Sequence, residues 1–188
     1  GRRLKGEDEA VPLGGGVAVL LSVFLSICLG SFVVPEIWQG IRNDWSISLS
    51  GAAGILLICL IGLADDMVGL RGRQKLLGQV FACLIVVLGG TVIEEFVLFD
   101  HTWELGVFSI PVTCLWLLAV VNAMNLIDGA DGLASTVGIV ISLSFSIMAS
   151  MLGHPIESIL AIMLTGALAG FLVYNRPPAA IFLGDAGS

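Results

Sequence analysis

Long apolar runs separated by short polar strings set the pattern of this chain. Six runs stand out, at about Gly14 to Pro35, Ser48 to Ala64, Leu76 to Ile93, Val107 to Ile127, Leu133 to Leu152 and Ile156 to Tyr174. A helix that crosses a bilayer needs about 20 mostly apolar residues, fewer where neighbours cover its ends. Each run therefore predicts one transmembrane helix. The runs are unbroken, whereas the strands of a membrane barrel alternate apolar and polar residues over about 10 positions. The expected fold is all-α, a polytopic transmembrane helical bundle. No cleavable leader is visible, because charged residues open the chain and the first run leads straight into further spans. Neither an internal repeat nor a low-complexity linker divides it.

Composition agrees with this class. The chain is 57% hydrophobic and only 12% charged, against about a quarter charged in soluble domains. Its formal net charge of -7 says little about partners, since the acids sit in three strings and in short loops; no nucleic-acid partner is expected. The four cysteines, Cys28, Cys59, Cys83 and Cys114, fall one to a run without metal-ligand spacing. They read as small packing residues.

Basic residues orient the chain. With six crossings, Arg2, Arg3, Lys5, Arg71, Arg73, Lys75 and Arg176 share one side and leave Arg42 alone on the other. By the positive-inside rule the first side is the cytoplasm. The opposite loops hold Glu36, Asp44, Glu94, Glu95, Asp100, Glu104 and Glu157 with His101 and His154. This alternation, fixed by the basic residues, also brings all three acidic strings to the cytoplasmic side.

Those strings are Ala64 to Leu70, Asn122 to Gly132 and Phe182 to Ser188. Each ends an apolar run, where an ionisable side chain is expensive and marks function by default. Five carboxylates (Asp65, Asp66, Asp128, Asp131, Asp185) and two asparagines at one face need cations or hydrogen-bond donors to offset their repulsion. Hard oxygen donors without histidine or cysteine suit Mg²⁺, with Mn²⁺ as the alternative. Magnesium completes its shell with water and substrate phosphates, which points to phosphoryl chemistry.

Spacing refines the assignment. Asn122, Asn125 and Asp128 recur every third residue and form a polar stripe if the fourth span stays helical to its end. Such asparagines either serve a site or hydrogen-bond a neighbouring helix. Gly129 and Gly132 then let the chain bend and present Asp131. Asp65 and Asp66, adjacent on a helix, diverge by about 100° and should have different partners. They read either as site groups or as a solvated helix end paired with Arg71, Arg73 or Lys75. Those basic residues in turn read as topology determinants or as partners for a phosphate or anionic lipid. Gly184 to Ser188 forms a tight loop open to close backbone approach. Phe182 suits base stacking or anchoring at the membrane interface. Pro12 to Gly16 suits a flexible helix start or approach of a phosphate.

Together the strings resemble the polyprenyl-phosphate N-acetylhexosamine-1-phosphate transferase family (glycosyltransferase family 4), from Pro12-Leu-Gly-Gly to Ser188. Asp65-Asp-x-x-Gly69-Leu70 looks like the undecaprenyl-phosphate GlcNAc-1-phosphate transferase branch, since the peptidoglycan branch, which takes UDP-MurNAc-pentapeptide, typically has lysine in place of Gly69. The resemblance implies transfer of a sugar-1-phosphate from UDP-GlcNAc or a close relative to undecaprenyl phosphate, with release of UMP. It starts cell-envelope polysaccharides such as O-antigen and teichoic acid at the cytoplasmic face of the inner (plasma) membrane. Asp185 and Asn125 match metal-ligand positions. Asp65 and Asp66 match the pair assigned to catalysis or lipid-phosphate handling, with Asp128 grouped beside them. Asn122 lines the same pocket, and Gly129, Asp131 and Phe182 match the uridine region. Direct attack by the lipid phosphate, with Asp65 as proton acceptor, is the expected mechanism.

Members of that family carry ten or eleven spans and a later basic or histidine-containing loop. Residues 1–188 therefore read as one transmembrane catalytic-core region, truncated at both ends and inactive by itself; a homodimer is compatible with it. Other classes fit less well. An intramembrane aspartyl protease needs glycine where Leu183 precedes Gly184, a transporter usually places its acids at the midplane, and a CDP-alcohol phosphotransferase needs an Ala-Arg step that Asp131-Gly-Leu-Ala-Ser135 lacks.

Overall fold

The computed structural model describes residues 2–5 and 9–188, with side chains from Leu13 onward. The side chains of Arg2, Arg3, Lys5 and Pro12 thus lie outside the described residues. A hairpin of β1 (Arg2–Lys5) and β2 (Glu9–Pro12) precedes α1 (Gly15–Val33), α2 (Pro35–Asn43), α3 (Trp45–Val68) and α4 (Gly72–Leu88). A second hairpin, β3 (Glu95–Leu98) and β4 (His101–Glu104), and a 3-10 turn at Gly106–Phe108 lead into α5 (Ser109–Ile127), α6 (Leu133–Met151) and α7 (Pro155–Asn175).

The membrane body is helical, as expected. Among the described residues, five helices are long and apolar enough to cross a bilayer: α1, α3, α5 with its preceding turn, α6 and α7. The third run, Leu76 to Ile93, folds differently from its expected span, because Gly89 and Gly90 stop α4 at 17 residues. Even so, α4 runs antiparallel along α3. Lys75 in its first turns meets Asp65 at one end, and at the other Gly89 O accepts from Ser46 Oγ at 3.0 Å. It thus runs alongside most of α3, and the chain is a multi-pass membrane protein.

Local signals set the helix ends. Pro35 opens α2 with Glu36 in its first turn and Arg42 in its last, matching the helix dipole. α3 runs past its apolar stretch and keeps Asp65 and Asp66 helical until Gly69, in the left-handed region at φ 66°, donates back to Asp65 O. Gln74 Oε1 accepts from Arg71 N at 3.0 Å and closes the start of α4. The β3–β4 hairpin departs from the all-α expectation; its strands are only four residues long, too short for a clear alternation in sequence.

Small and hydroxylated residues carry the packing, because lipid tails offer no hydrophobic drive between helices. Gly54 faces Val86 and Gly78 faces Ile61 across the α3–α4 seam. α6 and α7 are joined by Ser142 to Thr165 at 2.8 Å and by Ser158 Oγ donating to Ser146 O at 2.8 Å. Val19, Ala134, Leu168, Phe171 and Leu183 form a buried cluster beneath the C-terminal loop. All four cysteines are free, with Cys59 and Cys83 buried in the bundle.

Candidate active site

One end of the bundle collects the acidic strings. The last turn of α3 supplies Asp65 and Asp66, the start of α4 supplies Lys75 and Gln79, and the end of α5 supplies Asn122 and Asn125. The loop from Ala179 to Ser188 lies among them. Its position depends on two glycines. A Cβ at Gly62 of α3 would overlap the carbonyl oxygen of Asp185 and crowd Ala186, and one at Gly16 of α1 would overlap the backbone of Gly187. The loop carbonyls also cap α1: Gly15 N donates to Phe182 O at 3.1 Å and Gly16 N to Leu183 O at 2.8 Å. These two amides are engaged by protein, so of the two readings of the Pro12 to Gly16 string the one as a helix start fits.

The adjacent aspartates take different partners. Asp66 faces the loop backbone, its Oδ1 accepting from Asp185 N at 3.1 Å and its Oδ2 from Ala186 N at 3.3 Å. It also lies against Gly184, where φ is +77° and a Cβ would come within 2.7 Å of Asp66 Oδ2, so the position suits glycine. Asp65 turns the other way. Its Oδ1 accepts from Leu70 N at 2.7 Å and its Oδ2 pairs with Lys75 Nζ at 3.0 Å.

Lys75 links the strings. Its ammonium also meets Asp185 Oδ2 at 2.7 Å, while Asp185 Oδ1 accepts from Asn125 Nδ2 at 2.9 Å. Asn125 Nδ2 lies 3.1 Å from Ser188 Oγ as well. Burial pushes the Asp185 carboxyl up, but hydrogen bonding with Asp65, Lys75 and Asn125 and the lysine's charge outweigh it, and the group is held below the ordinary carboxylate value. Between these side chains remains a space of about 10 Å³, lined by Lys75, Gln79, Asn125, Asp185 and Ser188 with apolar residues of α3 and α5. That is room for about one water molecule.

The other expected residues sit around this centre. Asn122 donates to Gln79 Oε1 at 3.1 Å and to Leu118 O at 2.8 Å, so it stays on the Asn125 stripe but faces α4. Asp128 is 3% exposed just beyond α5, and Gly129 follows it at the surface. Asp131 does not join the lysine-centred cluster; its Oδ2 accepts from Ala179 N at 2.9 Å and tethers the start of the loop. Phe182 is buried beside Ala179 and Leu13, packed into protein in this conformation.

A family model described as glycosyl transferase family 4 matches residues 48–188. The chain belongs to glycosyl transferase family 4. Among its relatives, a Bacillus subtilis (strain 168) protein named probable undecaprenyl-phosphate N-acetylglucosaminyl 1-phosphate transferase is 31% identical over 98% of this chain and 49% of its own length. A phospho-N-acetylmuramoyl-pentapeptide-transferase of Clostridium botulinum (strain Eklund 17B / Type B) is 34% identical over 97% of this chain and 57% of its own. One of the same name from Thermoanaerobacter sp. (strain X514) is 39% identical over 72% and 46%. The chain thus spans about half the length of the curated relatives it matches.

Carboxylate and amide oxygens are the kind of donor a magnesium-type ion takes. Among the described residues no three acidic, histidine or cysteine side chains converge to hold a metal by themselves. Magnesium does not require that, since one or two carboxylates plus water and phosphate oxygens satisfy it. Asp65 and Asp185 already share one cationic atom, Lys75 Nζ. Asn125 spends its amide nitrogen on Asp185 and Ser188, so its Oδ1 is the atom it can offer a cation.

Two of the central residues have no settled reading in sequence: Lys75 stands open between pairing with the aspartates, topology and phosphate binding, and Gln79 carries none. Their signal is that they stand four residues apart, on one face of α4. Asn175 is a third. It is 2% exposed, accepts from Ser135 Oγ at 2.8 Å and donates to Ile181 O at 2.9 Å, bracing the loop from α7.

Proposed function

We propose that this chain is the catalytic core of an integral membrane transferase that moves N-acetylhexosamine-1-phosphate from a UDP-sugar, UDP-GlcNAc in the favoured reading, to undecaprenyl phosphate. The observation that carries the proposal is that Lys75 pairs with both Asp65 of α3 and Asp185 of the C-terminal loop, while Asn125 of α5 bonds Asp185. Such a mixed-charge cluster at the end of a bundle suits a ligand rich in phosphate. The reaction joins an oxygen of the lipid phosphate to the sugar-bound phosphorus of the donor and breaks the bridging P–O bond, with UMP carrying away the electron pair. Its products are UMP and a polyprenyl-pyrophosphate sugar.

The chain's own residues divide the work. Asp66 holds the Asp185 loop in register, and Asp65 accepts a proton from the incoming lipid phosphate if it arrives protonated. Lys75 leaves its carboxylate partners to meet phosphate oxygens, so that alignment and charge do most of the catalysis. Asp185 and Asn125 would hold Mg²⁺, which when bound neutralises the donor pyrophosphate and the departing UMP. Gly129 and Asp131 belong to the uridine side in this reading, Phe182 reaches it only by leaving its packing on Leu13 and Ala179, and Asp128 supports the end of α5. The active face is the cytoplasmic one of the inner membrane, where the basic residues gather.

A second reading, the peptidoglycan reaction with UDP-MurNAc-pentapeptide, has equal support from the relatives' names. Gly69 favours the first: at φ 66° it occupies a backbone region that a lysine enters only with strain. The test is exchange of labelled UMP into UDP-GlcNAc, UDP-GalNAc and UDP-MurNAc-pentapeptide by the full-length protein in membranes. Metal-dependent exchange with a UDP-N-acetylhexosamine, abolished in Asp185→Asn, is the expected result. Exchange with the pentapeptide donor alone reverses the branch, and exchange untouched in Asp185→Asn overturns the metal assignment.

A further inference from the structure

The β3–β4 hairpin lies at the end of the bundle opposite the acidic cluster, between the far end of α4 and the start of α5. Its register pairs Glu95 with Glu104, Phe96 with Trp103, Val97 with Thr102 and Leu98 with His101. Paired residues share a face and neighbours alternate. One face therefore carries Phe96, Leu98, His101 and Trp103, and the other Glu95, Val97, Thr102 and Glu104. Phe96 and Trp103 stack with ring centroids 6.5 Å apart and planes within 9°. The face is nevertheless open, with Trp103 55% exposed and Leu98 51%.

The turn adds a second sign. Phe99 and Asp100 have φ of 49° and 61°, the two positive values of the tight hairpin turn that glycine, asparagine or aspartate fill most easily. A phenylalanine pays backbone strain there, yet it is 89% exposed. Nothing within the described chain compensates it. The apolar surface also continues from the hairpin onto the adjoining helices, through Leu88 of α4 and Val107, Phe108 and Ile110 ahead of and within α5. Of the two, α5 with its preceding turn is long and apolar enough to cross a bilayer.

We propose that the hairpin is an interfacial anchor: its Phe96–Leu98–Trp103 face and the Phe99 tip insert into the headgroup region of the leaflet opposite the acidic cluster. Aromatic rings favour that layer, and the separation of an apolar face from a glutamate face is the pattern of a segment lying in the interface plane. Glu95 and Glu104 fix which side is wet, since directly opposed carboxylates need solvent. Anchoring sets the depth of α4 and α5, the helices that carry Lys75, Gln79, Asn122 and Asn125 at their other ends.

The test uses the full-length protein in phosphatidylglycerol–phosphatidylethanolamine vesicles, with Trp103 as the tryptophan under study after Trp38, Trp45 and Trp116 and any others are changed to Phe. Headgroup-proximal brominated lipid should quench Trp103 strongly and aqueous iodide weakly. In parallel, a cysteine-free background carries a spin label at Phe99 or at Thr102. The Phe99 label should collide more with oxygen than with a water-soluble nickel chelate, and the Thr102 label should do the reverse. Iodide quenching without lipid quenching overturns the proposal in favour of a wet loop. Protection of Trp103 from both quenchers overturns it too, because another part of the protein or a second copy then covers the face.

Discussion

Gly62→Ala isolates the seating of the loop that carries Asp185. The added methyl would meet the carbonyl oxygen of Asp185 and the Cα of Ala186, both backbone atoms that cannot swing aside as a side chain does. Restoring ordinary contact requires the loop to retreat by on the order of 1 Å, a misplacement that lowers catalysis by about 10²-fold, or about 2.7 kcal/mol in barrier height. Stability should change less. Overpacking costs about 1–3 kcal/mol, and replacing a helical glycine by alanine returns about 1 kcal/mol. The same helix supplies a control: a Cβ at Gly51 meets nothing within 4 Å. UMP exchange and thermal unfolding of full-length Gly62→Ala and Gly51→Ala, purified side by side, read both quantities. Gly51→Ala should match the parent in exchange, while Gly62→Ala falls by about two orders of magnitude. Equal exchange in the two variants would refute the close approach of loop and helix.

Three further outcomes follow from the contacts. Lys75→Met leaves Asp65 and Asp185 facing each other without their shared cation; exchange should be lost and unfolding should come about 1–3 kcal/mol earlier, whereas Lys75→Arg should recover stability better than exchange. Asp66→Ala removes the acceptor of two loop amides, at 3.1 and 3.3 Å, and should cost about 1–3 kcal/mol with increased hydrogen exchange at Asp185 and Ala186; protection equal to the parent would contradict the loop anchor. Ser142→Ala, which breaks a 2.8 Å bridge between α6 and α7, should cost only about 0.6 kcal/mol in a bilayer, measurable by steric trapping.

Much of the fold was legible because a bilayer imposes one rule on every span, a long apolar run with its backbone satisfied internally. The runs gave helices in the expected order. Boundaries slipped where local chemistry overrode hydropathy: α3 kept Asp65 and Asp66 helical up to Gly69, and Gly89-Gly90 ended α4 short of Ile93. At the site, the divergence of Asp65 and Asp66 followed from helix geometry, and so did the shared stripe of Asn122 and Asn125. Phe182 was less legible, since an aromatic beside a polar string looks the same whether it faces a ligand or, as here, packs on Leu13 and Ala179.

The sequence by itself determined a helical membrane protein, and its basic residues and oxygen-donor strings supplied the expectation of a cytoplasmic, phosphoryl-handling face. Hydropathy, charge asymmetry and ligand type are properties of local strings, and none requires knowing what packs on what. Only the tertiary structure decided that Lys75 holds Asp65 and Asp185 together, that Gln79 meets Asn122, and that Gly16 and Gly62 admit the loop. Gln79 and Asn122 stand 43 positions apart, and Lys75 and Asp185 stand 110 apart. Such distances are closed by helix packing, whose geometry depends on small side chains that leave little mark on hydropathy.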